Sequence, residues 1–87
     1  MPLVDFDSLM ADAEAGGYAV GYFESWDQHS LMAVADAAEA MRSPVIVGFS
    51  GIYLPHPRRC VRDPLSLYAQ MGLSLGRALS VPACLAG

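Results

Sequence analysis

Residue types that can do chemistry are few in this 87-residue sequence, and several of them follow predicted strands. Glu24 follows the apolar run 18–23, and Ser50 with Gly51 follows the run 45–49. A carboxylate can accept hydrogen bonds, and a glycine allows the backbone to approach an anion closely. The same residues are also common in plain turns and helix starts. The residue types alone leave both explanations open.

Histidine and cysteine show no pattern that is typical of a metal site. Cys60 and Cys84 lack the Cys-x-x-Cys spacing, and we expect Cys84 to be buried packing on an apolar strand. His56 lies between two prolines, and His29 lies in the first turns of a predicted helix. We expect both histidines to be solvated, and nothing marks Cys60 as a nucleophile.

The charge pattern argues against nucleic acid as a partner. The formal net charge is −4 and lysine is absent, whereas binding to a phosphate backbone depends on clustered cations. Three of the five arginines, Arg58, Arg59 and Arg62, fall in one loop. We interpret that cluster as a solvated patch, and contact with an anion is the alternative.

Hydropathy patterning predicts neither a membrane span nor a secretory signal. No apolar stretch approaches the roughly 20 residues that a span needs, and the N-terminus lacks a basic segment followed by an apolar one. Free thiols then favour a cytoplasmic protein. The apolar content of 54% is nevertheless high for so short a chain. Part of that surface is therefore expected to meet further chain or a partner.

Strand and helix signals alternate along the sequence. The predicted elements are a short helix 5–15, strand 18–23, helix 26–41, strand 45–49, loop 50–62, helix 64–79 and strand 81–85. This order predicts an α/β fold with a short N-terminal helix and a βαβαβ unit of parallel strands with right-handed crossovers. Half of a doubly wound sheet and three-eighths of a (β/α)8 barrel both fit the pattern.

Local patterns add three expectations. The first strand is interpreted as buried, because it is a short apolar run. Ser25 followed three residues later by Gln28 predicts a capping box at the start of the second helix. In that helix Met41 belongs to the predicted apolar face, and Glu39 faces away from it.

A set of stretches occurs in one order along the chain. They are residues 1–4 (MPLV), 17–23 (GYAVGYF), 31–40 (LMAVADAAEA), 42–51 (RSPVIVGFSG) and 80–82 (SVP). In this order and spacing they resemble the N-terminal part of the class II, metal-dependent fructose/ketose-bisphosphate aldolases. The resemblance covers essentially the whole chain and about the first third of a family member.

The resemblance implies a (β/α)8 TIM barrel, of which these residues would form an incomplete βαβαβ segment, and a possible homo-oligomer. It also implies a Zn2+ ion held by histidines and a phosphorylated sugar as substrate. The implied lyase reaction of carbohydrate metabolism and glycolysis is reversible cleavage of a ketose bisphosphate to glycerone phosphate and an aldehyde. The absence of lysine agrees with this version, because the rival mechanism needs a lysine Schiff base.

Carried over residue by residue, the resemblance gives Glu24, Ser50 and Gly51 as substrate-binding residues. Ser50 stands where the family holds the substrate phosphate, and Glu24 where it usually has a substrate-contacting asparagine. Ala86 stands where the family's His-x-Asp-His-Gly run begins, which supplies the acid/base aspartate and a zinc ligand. We therefore expect no catalytic residue, no metal ligand and no cofactor in this chain.

Two hypotheses from different classes follow. The chain is either the N-terminal portion of an aldolase barrel, inactive by itself, or a small non-catalytic α/β binding or assembly module with an apolar docking face. A nucleotide-binding function is disfavoured, because Phe-Ser-Gly after a strand has too few glycines and no lysine for a P-loop.

Overall fold

The computed structural model describes residues 3–50, 54, 56–60 and 64–86, in which helices and strands alternate. The elements are α1 (Phe6–Gly16), β1 (Gly21–Ser25), α2 (Gln28–Met41), β2 (Val45–Phe49), α3 (Leu65–Ala78) and β3 (Ala83–Ala86). The strands form one parallel sheet in the order β1-β2-β3. The α/β class with parallel strands, predicted from the alternation, is confirmed.

β2 is the central strand, and its first four residues are buried. A continuous apolar run suits a strand that is covered on both faces. On one face Val45 and Val47 belong to a core with residues of α2, α3 and β3, namely Leu31, Ala35, Ala38, Leu79, Val81 and Ala83. On the opposite face Ile46 packs with Leu9 of α1 and Cys84 of β3. The sheet therefore lies between α2 and α3 on one side and α1 on the other.

The face of the sheet that α1 covers in part is here called the inner face. The strand register places two rows of residues on it. Tyr22, Ile46 and Cys84 form one row, and Glu24, Gly48 and Ala86 form the next row towards the strand ends. α1 reaches the first row through Leu9. The second row is therefore the part of the inner face from which a ligand site can be built.

β1 differs from β2, because four of its five residues are exposed. The prediction of a buried first strand is wrong for this reason: β1 is an edge strand, with a single partner among the described residues. Tyr22 and Phe23 keep 49% and 52% of their surface exposed. The strand also begins later than predicted, at Gly21, where its parallel pairing with Val45 begins.

The capping box of α2 lies two residues beyond the predicted one. Asp27 Oδ1 accepts a hydrogen bond from the Ser30 backbone N–H at 2.8 Å, and Ser30 Oγ accepts one from the Asp27 N–H at 3.1 Å. Ser25 cannot act as the cap, because it is the last residue of β1 and pairs with Phe49. The predicted Ser25–Gln28 box is therefore wrong.

The last turns of α2 also differ from the expectation. Met41 is 77% exposed rather than part of the core. Glu39 does not simply face solvent, because its carboxylate accepts hydrogen bonds from Ser80 N and Oγ, both at 2.6 Å, and from Val81 N at 3.2 Å. The connection from α3 to β3 thus lies against this side chain, a contact between residues about forty positions apart.

Among the described residues, none of the helices has the length and hydropathy that crossing a bilayer requires. Cys60 and Cys84 are both free thiols, the first exposed and the second buried. Burial is the main reason that the pKa of the Cys84 thiol is raised, which keeps the group neutral within the core.

Candidate substrate-binding site

The carboxyl ends of β1 and β2 meet at one edge of the sheet, here called the carboxyl edge. Glu24 pairs with Gly48 and Ser25 with Phe49, so Ser50 follows one step beyond the level of Ser25. Ligands of parallel α/β sheets bind outside the carboxyl ends of the strands. Two of the three residues predicted to bind substrate, Glu24 and Ser50, therefore lie at this edge. Gly51 lies outside the described residues.

Glu24 is exposed on the inner face beside the ring of Tyr22. The Tyr22 hydroxyl donates a long hydrogen bond of 3.4 Å to Glu24 Oε1. Partial burial and then the nearby Glu24 carboxylate raise the pKa of the Tyr22 phenol. The raised pKa keeps the Tyr22 phenol neutral at physiological pH, so its hydroxyl stays a hydrogen-bond donor.

Gly48 makes room for the Tyr22 ring on the neighbouring strand. A Cβ atom at Gly48 would lie 2.5 Å from the Tyr22 hydroxyl oxygen and 2.7 Å from its Cε1. Sequence reasoning missed Tyr22 as a site residue. Its position two residues before Glu24, which puts both side chains on one face of a strand, is the signal that could have identified it.

The two serines at the carboxyl edge have different surroundings. Ser25 is fully buried, and its Oγ has no hydrogen-bond partner in the described part of the chain. By strand alternation it lies on the helix-covered face, away from Glu24. Ser50 is 3% exposed, and its carbonyl accepts a hydrogen bond from Leu54 N at 3.3 Å. Ser50 follows Gly48 by two residues, so strand alternation places it on the side of the inner face.

A cleft of about 670 Å³ opens beside the carboxyl edge, and we call it the loop cleft. Residues from the turn after β1, the loop after β2 and the start of α3 line it: Trp26, Asp27, Leu54, His56, Arg58, Arg59 and Tyr68. The sequence pattern identified the arginines of this loop, but not the two aromatic residues, Trp26 and Tyr68, that line the same cleft. Arg62, the third arginine of the predicted cluster, lies outside the described residues.

Comparison with known proteins identifies the family. The family model for class-II fructose-bisphosphate aldolase matches residues 4–85, nearly the whole chain. The chain belongs to the class II fructose-bisphosphate aldolase family. The resemblance recognised in the sequence is thereby confirmed, and the three parallel strands with their helices form part of the (β/α)8 barrel of that family.

Individual relatives of this class II aldolase segment are bacterial. The uncharacterized protein YdjI of Escherichia coli K12 is 47% identical over 47 residues, which are 54% of this chain and 17% of YdjI. A probable fructose-bisphosphate aldolase of Bacillus subtilis 168 is 42% identical over 50 residues, and a fructose-bisphosphate aldolase of Staphylococcus aureus Mu50 is 36% identical over 50 residues.

These matches cover short parts of longer proteins. Both aldolase matches span 58% of this chain and 18% of the relative. The chain thus matches less than a fifth of the length of these relatives. A comparison with solved structures gave no significant match.

Class II aldolases are generally metal-dependent, so the donor groups of this segment were compared with the needs of a zinc site. Such a site takes three or four protein ligands, and the described residues contain no group of three His, Cys, Asp or Glu side chains that could hold a metal ion. His29 is exposed in the first turn of α2, and His56 Nδ1 accepts a hydrogen bond from Arg58 N at 3.1 Å. The described residues do not fit a metal centre, and no metal-dependent step is assigned to them.

Proposed function

We propose that this chain supplies the part of a class II aldolase site that receives the phosphorylated end of a ketose bisphosphate. The supporting observation is that Ser50 lies directly after β2, which pairs with the strand that carries Glu24, and thus at the same edge of the sheet. The Ser50 hydroxyl can donate a hydrogen bond to a phosphate oxygen. Gly51 adds a backbone N–H with no side chain to hinder approach.

Glu24 is proposed to bind the hydroxyl groups of the sugar rather than its phosphate. A carboxylate only accepts hydrogen bonds at neutral pH, whereas a sugar hydroxyl can donate one. A phosphate placed as close to Glu24 as such a hydroxyl would be repelled by the carboxylate charge. The Tyr22 hydroxyl, 3.4 Å from Oε1, helps to hold the carboxylate on the inner face.

The cleavage step is proposed to need groups that residues 1–87 do not provide. Ala86 occupies the position at which the family's His-x-Asp-His-Gly run begins, and its methyl group cannot bind zinc. The sequence contains two histidines in all, fewer than the histidine ligands of a typical site of this kind. We therefore propose that the 87-residue polypeptide binds a sugar phosphate weakly without cleaving it.

Calorimetric titration with fructose 1,6-bisphosphate tests the binding part of this proposal. We expect weak, saturable binding that Ser50→Ala reduces, because the hydroxyl donor is lost. Ser74→Ala, an exposed serine on α3, is the matched control and is expected to leave binding unchanged. Equal affinity of the Ser50→Ala and Ser74→Ala variants would contradict the phosphate assignment.

An aldolase assay with added zinc tests the catalytic part. The release of glycerone phosphate from fructose 1,6-bisphosphate is expected to stay at the rate without protein. Sustained release above that rate, retained after repurification, would show that residues 1–87 suffice for the reaction and would overturn this part of the proposal.

The cytoplasm is proposed as the compartment of this protein. The supporting observation is that Cys60 and Cys84 are both free thiols, as is usual where glutathione keeps thiols reduced. Fractionation of cells that express the protein with a C-terminal tag tests this, and recovery from an extracytoplasmic fraction would contradict it.

Assembly through an apolar surface is a second candidate function, favoured by the exposed side chains beside β1. Phe23 and Met41, with Val34 and Pro44, line an apolar groove of about 610 Å³. Within the described ranges β1 pairs with a strand on one side only, and an open strand edge next to such a groove favours pairing with another chain. We propose a second copy as the partner. In sedimentation velocity, a defined oligomer should dissociate in a Phe23→Glu variant, and a wild-type monomer would contradict this function.

A further inference from the structure

A single short turn supplies the loop cleft with hydrogen-bond donors and positive charge, through His56, Arg58 and Arg59. His56 is half-buried, and its Nδ1 accepts a hydrogen bond from Arg58 N at 3.1 Å. Neutral His56 therefore carries its proton on Nε2, which can donate. Arg59 N donates to the His56 carbonyl at 3.1 Å, and this second hydrogen bond also holds the turn from His56 to Arg59. The side chains of His56, Arg58 and Arg59, which can all donate hydrogen bonds, thus come from one turn that two hydrogen bonds hold.

The two arginines of the turn are held differently. Arg59 Nη1 donates to the Leu54 carbonyl at 2.7 Å, which anchors its guanidinium against the cleft lining. Arg58 is exposed, and within the part of the chain that the structure describes its guanidinium makes no hydrogen bond or ion pair. A guanidinium without a protein partner presents a planar fork of donors that matches the oxygens of a phosphate or carboxylate.

Two aromatic side chains also line the cleft. Trp26 follows β1 and is 47% exposed, whereas Tyr68 is buried and packs its ring against Phe49 at a centroid distance of 5.1 Å. Aromatic rings of this kind can cover the carbon skeleton of a small ligand while its charged end faces the turn of His56, Arg58 and Arg59. The cleft volume of about 670 Å³ lies within the usual range for small-molecule sites.

Among the described residues that line the cleft, Asp27 is the one carboxylate. Its Oδ1 accepts the Ser30 backbone N–H at 2.8 Å, and the hydrogen bonds with Ser30 lower the Asp27 pKa. This charge therefore serves the N-terminus of α2, where a carboxylate is favoured. The described lining thus holds two guanidinium groups and one carboxylate, which gives it a positive balance in a chain whose formal net charge is −4. That contrast favours a dianionic ligand.

We propose that the loop cleft binds the phosphoryl group of a small phosphate ester through Arg58, with Arg59 and His56 beside it. The aromatic rings of Trp26 and Tyr68 cover the rest of the ligand. This site is separate from Ser50 and does not rest on the phosphate contact proposed there. It makes the loop after β2, rather than the strand end alone, a determinant of ligand binding.

Trp26 is the only tryptophan of the chain, so its fluorescence reports directly on the cleft. The probes are inorganic phosphate and phenyl phosphate, added at constant ionic strength and at a pH of about 8, which is well above the second pKa of a phosphate monoester, ~6. We expect a saturable change in Trp26 fluorescence with both probes. Phenyl phosphate should bind more tightly, because its ring can lie against Trp26 and Tyr68. The same ionic strength of chloride is expected to give no saturable change.

Arg58→Gln is expected to weaken phosphate binding at least about tenfold, since a charge-assisted hydrogen bond is lost. Arg77→Gln removes the same charge from the last turn of α3, roughly 14 Å along the helix from Tyr68, and is expected to have no such effect. Both are surface substitutions that should leave the fold intact, which circular dichroism and thermal melting check.

Three outcomes would overturn the proposal. They are the absence of a saturable Trp26 response, equal weakening by Arg58→Gln and Arg77→Gln, and loss of the response in Ser50→Ala but not in Arg58→Gln. The last outcome would assign the phosphate to the strand end instead. Conversely, a Ser50→Ala variant that retains the Trp26 response supports the cleft site even if the function proposed for Ser50 fails.

Discussion

The two ends of the β-sheet differ in what their side chains do. At the amino end, Val4 N donates to the Ala83 carbonyl at 2.8 Å and Leu3 forms a parallel bridge with Ala83. Glu39 binds the start of the β3 connection at the same end. At the carboxyl edge, by contrast, Glu24, Trp26 and Arg58 are exposed. One end is closed by contacts within the protein, and the other leaves polar and charged side chains exposed.

This difference follows the usual separation in barrels of parallel strands, where the carboxyl ends carry the ligand site and the amino ends carry stability. Its physical reason is that a group already bonded within the protein has little left to offer a ligand. Substitutions at the amino end should therefore change the free energy of unfolding, and substitutions at the carboxyl edge should change binding.

The largest expected effect comes from Leu9→Ala on the inner face. Leu9 is 2% exposed and packs with Ile46 and Cys84, so its loss should cost about 2–5 kcal/mol of unfolding free energy. Phe6→Ala, an exposed position on the same helix, is the control and should cost much less. Urea denaturation of both variants measures the difference. Equal costs would mean that α1 does not close this end.

A smaller effect is expected from Gly72→Ala. This substitution tests how tightly α3 packs against the sheet near the carboxyl edge. A Cβ there would lie 2.7 Å from Leu85 Cδ1 and 3.2 Å from Phe49 Cε2. Overpacking of this kind costs about 1–3 kcal/mol, against a gain in helix propensity of up to about 1 kcal/mol. A net loss of stability is therefore expected in urea denaturation.

Gly76→Ala is the matched control one turn later. Its Cβ would meet the tip of the Leu3 side chain at 2.8 Å, and no second residue of the described ranges lies within 4 Å. That flexible tip can move, so the gain in helix propensity should offset most of the cost. If Gly72→Ala is as stable as Gly76→Ala, the packing beneath the carboxyl edge is looser than the structure indicates.

Much of the fold could be predicted because it depends on local patterns. The run Val45–Phe49 is continuous and largely β-branched, and β2 occupies those residues. Alternating strands and helices predicted the parallel order. The positions of Glu24 and Ser50 at one edge follow from strand ends alone. These features need no knowledge of which residues meet across the sheet.

The features that could not be predicted depend on distant contacts. Tyr22 lies over Gly48 only because of the register between β1 and β2. The cap at Asp27 replaced the predicted one because pairing with Phe49 keeps Ser25 extended. The lining of the loop cleft likewise joins residues from three separate segments. The residue pattern of one segment holds no information on contacts with residues that are distant in the sequence.

Glu39 provides the smallest effect, and it concerns pH. The hydrogen bonds from Ser80 and Val81 lower the pKa of Glu39 below the ordinary value of 4.5. A carboxyl group whose pKa is lower in the folded state stabilises the fold above its unfolded pKa, and this contribution is lost as the pH falls through the folded pKa. In Glu39→Gln that contribution is absent at every pH. The melting temperature of the wild type should therefore exceed that of the variant near neutrality, and the difference should shrink in acid.

Glu14→Gln, at an exposed position on α1, is the control for the loss of one negative charge. Thermal melting between a pH of about 7 and about 3 covers the window in which the Glu39 contribution disappears. A difference between wild type and Glu39→Gln that stays constant over this range would mean that its carboxylate does not hold the β3 connection. The amino end would then be closed by Leu3, Val4 and α1 packing alone, and the contrast with the carboxyl edge would rest on apolar contacts rather than on a paired charge.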